Sequence, residues 1–161
     1  MAASTRLLAL ALLVVLALKA VVAQGPPSGK YMLLSEAIPP IFVGSHNEGY
    51  NSPVILGGEN NVWTIERMND GIYIFTLQQA GKPFHARSVG DHLFMSPVPV
   101  SPSVEWRVQN RDGDTYSIVA SSSIPPMAWT TRAFGSDPWV VLEEFNPSEP
   151  GQRWKFIQRQ Q

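Results

Sequence analysis

Apolar residues recur at every second position in short bursts along the chain. The bursts are Tyr31 and Leu33, Trp63 and Ile65, Tyr73 and Phe75, Trp106 and Val108, Tyr116 and Ile118, and Trp154 and Phe156. This alternation sends successive side chains to opposite faces of a strand. Fourteen prolines and twelve glycines interrupt the bursts and leave no stretch with a helical period. The segment WTIERMNDGIYIF, Trp63–Phe75, predicts a hairpin that closes at Asp70-Gly71. EWRVQNRDGDTYSIV, Glu105–Val119, repeats the plan around Asp112-Gly113. The pattern predicts an all-β chain.

The bursts also keep a longer register. Tyr31, Tyr73 and Tyr116 lie 42 and 43 residues apart, and Trp63, Trp106 and Trp154 lie 43 and 48 apart. Each unit opens on a Tyr strand and closes on a Trp strand. Two short apolar pieces stand between: PIFV and PVIL, then PFHA and HLFM, then PMAW and WVVL. Four strands in each of three units predict twelve. Three units are too few to close a propeller, and the propeller signature is missing. A barrel with a hairpin cap, closed by pairing the Tyr31 strand with the Trp154 strand, leaves no open edge. That arrangement is the β-trefoil, with pseudo-threefold repeats at about 29–70, 71–113 and 114–158.

The first 23 residues change the picture of where the chain goes. Arg6 precedes the apolar run Leu7–Leu18, and Val21 and Ala23 suit the −3 and −1 positions of a cleavage site. Residues 1–23 are read as a secretory signal peptide, too short for a comfortable membrane span. Lys19 within its c-region keeps an uncleaved anchor as the alternative. The mature chain, 24–161, is then a single domain, secreted or vacuolar, with no membrane segment of its own. It keeps ten basic against thirteen acidic residues, and the basic ones are dispersed. Nucleic acid, which needs a concentrated positive face, is not an expected partner. The absence of cysteine excludes thiol catalysis and cysteine-ligated zinc, and leaves stability to the core.

Taken together, SGKYMLL, VWTIER…DGIYIF, VEWRV…GDTYSIV and the closing RWKFI resemble the β-trefoil serine protease inhibitors of mushroom-forming (basidiomycete) fungi, the cospin-like family. The resemblance spans residues 28–158 in order. It implies a small, monomeric inhibitor of serine endopeptidases, in a group that also contains fungal inhibitors of cysteine proteases. It implies action through an exposed loop that enters the protease active site as a substrate would. The chain departs from the family in carrying a secretory signal. It also lacks a basic residue in the loops that the family uses.

A rigid loop limits the entropy lost on binding, and trypsin requires Arg or Lys at the residue that fills its acidic pocket. The family's loop between the second and third strands is here GSHNEGYNSP, Gly44–Pro53. Its Ser45, His46, Asn47 and Glu48 would suit other pocket preferences, Asn47 that of an asparagine-specific protease. The last long loop, EEFNPSEPGQR, is stiffened by Pro147 and Pro150 but has no basic tip. Arg132, followed by the small Ala133, occupies the third unit's counterpart of the second-to-third strand loop and is the preferred trypsin-directed residue. Arg87 is the second unit's counterpart, in what reads as a tight turn. Lys82 precedes Pro83, which trypsin-like enzymes refuse.

The competing reading is a carbohydrate-binding trefoil. Gln152-Arg153-Trp154 has the Gln-x-Trp form that ricin-type lectins repeat, and Gln152 is its candidate sugar-binding residue. The other two units carry no such match. A structural or defence domain with a lost or retargeted activity is a third reading. No nucleophile elbow or zinc-binding helix motif is present, so the chain is not expected to be an enzyme or to need a cofactor. His85 and His92 lack metal-ligand spacing, and no metal is expected.

Overall fold

The computed structural model describes residues 25–37, 39–46, 51–68, 71–97, 105–132 and 139–160. The signal-peptide assignment, 1–23, falls outside them. Among the described residues the chain forms twelve strands, with a 3-10 turn at Pro150–Gln152. The strands are β1 (Gly29–Ser35), β2 (Ile41–Ser45), β3 (Val54–Leu56), β4 (Trp63–Arg67), β5 (Ile72–Gln79) and β6 (Lys82–Val89). They continue as β7 (His92–Ser96), β8 (Trp106–Asp112), β9 (Thr115–Ala120), β10 (Met127–Thr131), β11 (Val140–Glu144) and β12 (Trp154–Gln158). No helix among them is long and apolar enough to cross a membrane.

All twelve strands belong to one barrel-like closed sheet. Six close a ring by antiparallel pairing: β1 with β4, β4 with β5, β5 with β8, β8 with β9, β9 with β12, and β12 with β1. The closing pair joins the Tyr31 and Trp154 strands, as expected from barrel closure, and runs from Tyr31 opposite Gln158 to Ser35 opposite Trp154. The other six form the hairpins β2–β3, β6–β7 and β10–β11. These meet through Val141 opposite His92, Pro53 opposite Phe94 and Ile55 opposite Trp139. Ring closure leaves the six barrel strands without a free edge.

The glycine of each Asp-Gly pair stands between two paired strands. Gly71 and Gly113 both take positive φ, +72° and +56°, which a residue with a Cβ adopts only with strain. Just before the second of these, β8 and β9 pair with a register shift between Asn110 and Asp112.

Trp63, Trp106, Trp129 and Trp154 are all fully buried. Trp129 lies among the others, its ring centroid 5.8 Å from Trp63, 5.2 Å from Trp106 and 6.2 Å from Trp154. A buried indole N–H needs an acceptor, and three of the four find one in a cap strand. Trp63 donates to the Val43 carbonyl at 2.8 Å, Trp106 to Ala86 at 3.0 Å and Trp154 to Trp129 at 3.1 Å. Each bond ties a barrel strand to a hairpin.

The tyrosines are less evenly served. The Tyr31 hydroxyl donates to the Pro27 carbonyl at 2.9 Å, whereas the buried Tyr73 hydroxyl has no hydrogen-bond partner. Burial raises both phenols above the ordinary value of 10.0. The folded barrel therefore retains protons that the unfolded chain releases, and stability falls as pH rises above that value. Tyr73→Phe removes an orphan hydroxyl and should stabilise the domain by about 1 kcal/mol, while Tyr31→Phe should destabilise it by about as much. Urea unfolding of both variants checks this. Equal losses would mean that the Tyr73 hydroxyl is satisfied.

Candidate functional site

The structure treats the described candidate residues differently. Ser45 ends β2 and is fully buried. Its hydroxyl donates to the His46 carbonyl at 2.9 Å and accepts from Gln79 Nε2 at 2.9 Å. Gln79, itself buried, also donates to the His46 carbonyl at 3.2 Å. Ser45 is thus a root of its loop and does not offer its side chain to a partner. His46 is exposed just beyond it. Asn47, Glu48 and Ala133 lie outside the described residues.

Arg132 follows β10 directly, with its side chain 67% exposed. Glu143 of β11 holds the guanidinium through one carboxylate oxygen, 2.7 Å from Nε and 2.6 Å from Nη2. The pair spans the base of the loop and fixes where the arginine starts. An exposed ion pair of this kind contributes only about 0–1 kcal/mol, so exchanging Glu143 for another carboxylate costs little. The loop assignment of Arg87 is corrected by the structure. It lies within β6, paired with Phe94, because strand pairing continues as far as Val89 opposite His92. Lys82 begins the same strand.

Gln152 is 1% exposed. Its amide donates to Thr130 Oγ1 and the Glu144 carbonyl, both at 3.0 Å, and accepts from the Asn146 N–H at 2.8 Å. These three bonds clamp the β11–β12 loop to β10. They leave the side chain turned inward, away from any sugar.

Burial lowers the His85 imidazole below its ordinary value of 6.5, and Thr76 Oγ1 lies 3.1 Å from its Nδ1. His92 pairs instead with Asp91, whose carboxyl is lowered chiefly by that hydrogen bond. No group of metal-ligating side chains forms among the described residues.

Sequence reasoning missed three features. A cavity of about 310 Å³ opens between the β1–β2 connection and the 3-10 turn, near Glu36, Pro40, Pro150, Arg153 and Lys155. Its charges answer one another: Arg153 and Lys155 lie 3.3 and 3.4 Å from Glu36, and Asp112 takes the far side of Arg153 at 2.9 Å. Ile124, in the β9–β10 loop, is 98% exposed. Trp139 packs edge-on against His92, their ring centroids 5.0 Å apart.

Several solved structures share this fold. A proteinase inhibitor from Coprinopsis cinerea aligns over 84% of the chain and 100% of its own length, with 18% identity and a TM-score of 0.63. A designed 3-fold symmetric protein, ThreeFoil, aligns over 81% of the chain and 99% of its own, with 19% identity and a TM-score of 0.66. Cry35Ab1 gives a TM-score of 0.72 at 16% identity over 84% of the chain, which spans only 37% of that protein. No protein-family model matches the chain, and no curated protein does.

The Gln152 clamp can be tested directly. Gln152→Ala would strand buried partners on three segments and should lower the unfolding free energy by roughly 2–3 kcal/mol. Urea denaturation monitored by tryptophan fluorescence checks the value. An unchanged midpoint would show that the clamp is dispensable.

Proposed function

We propose that the protein is a protease inhibitor, directed at serine endopeptidases, that inserts an exposed loop into the protease active site. In this reading the fold is a β-trefoil whose twelve strands form three four-stranded repeats. Residues 1–23 direct a monomeric domain into the secretory route, and the fungal family named above supplies the comparison. The observation that carries the proposal is Arg132. It is an exposed basic side chain at the exit of β10, on a closed frame whose core side chains are buried.

The physical argument is preorganisation. Arg132 leaves a strand paired along its length with β11, so the start of the loop is set before a partner arrives. Its guanidinium rests on the partly buried Glu143 carboxylate, a partner of the kind a trypsin pocket offers in a drier setting. The alignment with the Coprinopsis cinerea proteinase inhibitor over that protein's whole length supports the same reading. His46, Asn47 and Glu48 form the second candidate loop.

Inhibition assays against trypsin, chymotrypsin, subtilisin, papain and legumain test the proposal. Trypsin inhibition is expected, with Arg132→Ala weakening it by roughly a hundredfold through loss of a buried charge pair. Unchanged potency in that variant would move the reactive site to residues 46–48. Silence across the whole panel would overturn the inhibitor reading.

A further inference from the structure

Four of the five tryptophans are sealed in the core, but Trp139 is only partly buried. Strand parity explains the difference. Val140 and Leu142 turn into the core cluster, so Trp139 and Val141 face the other way. The register gathers like-facing residues from the neighbouring hairpins: His92 opposite Val141, Phe94 opposite Arg87 and Pro53, and Ile55 opposite Trp139. His92 meets Trp139 edge-on at 83°, and Phe94 meets it at 5.8 Å and 77°. Ile55 and Val141 are 3% and 8% exposed, yet both lie outside the central core cluster. The cap therefore carries a small aromatic platform on its outer side.

Charged groups border that platform. Asp91 contacts His92 Nδ1 at 2.5 Å, and Glu143 pairs with Arg132. Arg132 also lies close enough to Asp91 to help hold its carboxyl below the ordinary value. Arg87 shares the face of Phe94, and its buried Nε has no hydrogen-bond acceptor. Two arginines balance two carboxylates, so the border has no net charge with which to select an ion. It offers acceptors and donors beside an apolar ring, which suits a neutral molecule with an apolar face and vicinal hydroxyls. A pyranose has both.

We propose that this outer face of the cap binds a neutral saccharide, with Trp139 stacking on the sugar ring and Asp91 accepting from adjacent hydroxyls. Arg87 or Arg132 donates to a ring substituent. The site draws on two hairpins and does not involve Gln152, whose amide is already engaged.

Trp139 supplies its own probe, because the other four tryptophans are inaccessible to an aqueous quencher. The chain should be titrated with methyl glycosides of glucose, galactose, mannose and N-acetylglucosamine, and with cellobiose, lactose and chitobiose. Acrylamide quenching reports the wild type, and calorimetry follows the variants. At least one sugar should protect Trp139 at millimolar concentration. Trp139→Ala and Asp91→Asn should each weaken its binding by about tenfold or more, with Trp139→Phe closer to wild type. Asp91 has a 74% exposed side chain, so its variant is informative even if Trp139→Ala unfolds. No binding of any probe, or binding that both variants leave intact, overturns the proposal. Protection of Trp139 by a protease alone would assign this face to the protease interface instead.

Discussion

The architecture depends on where three indole N–H groups find their acceptors. Trp63, Trp106 and Trp154 open β4, β8 and β12, and each reaches a carbonyl in the hairpin of the preceding strands. In a water-free interior an unmet donor costs about 1–3 kcal/mol, so neither barrel nor cap is well satisfied without the other. Trp129 completes the arrangement from the cap side by packing its ring among the three. Its own Nε1 has no partner, which marks the one place where the cluster gives up a hydrogen bond for contact area. Barrel and cap are coupled in this way into one cooperative body.

That coupling explains why chemistry has to be sought at the loops. The core side chains are committed to packing, and polar groups such as Ser45, Gln79 and Gln152 are committed to fastening the loops down. What remains available is carried outward on short stems. Arg132 and Trp139 bracket a single connection, the first anchored to Glu143 and the second to His92. A loop pinned at both ends can change its tip without disturbing the strands beneath.

Much of the frame was legible because alternation and turn chemistry agreed. Tyr31, Trp63 and Tyr73 each begin a period-two run, and the structure buries the predicted face in every case. The site was harder to read. Ser45 and Gln152 are polar, and polarity in a loop suggests exposure; their burial depends on partners distant in sequence, Gln79 for one and Thr130 for the other. Trp139 heads the continuous apolar run WVVL, which satisfies either strand parity, so periodicity could not say which residues face outward. Only the pairing of β11 with β10 and β7 resolves it. Arg87 was misplaced for a related reason: pairing runs on to Val89 opposite His92, which shortens the turn to Gly90 and Asp91.

The closure between β1 and β12 bears on chain connectivity. Lys30 accepts from the Arg159 N–H at 2.9 Å, so the ladder continues past the last strand with both ends of the sheet side by side. Around the ring, that junction is like any other antiparallel pair and differs only in having no peptide linker across it. The order in which the strands are synthesised is then incidental to the final object. A short bridge across the seam, with a cut opened in an exposed connection such as the one carrying Ile124, would describe the same barrel as a circular permutant.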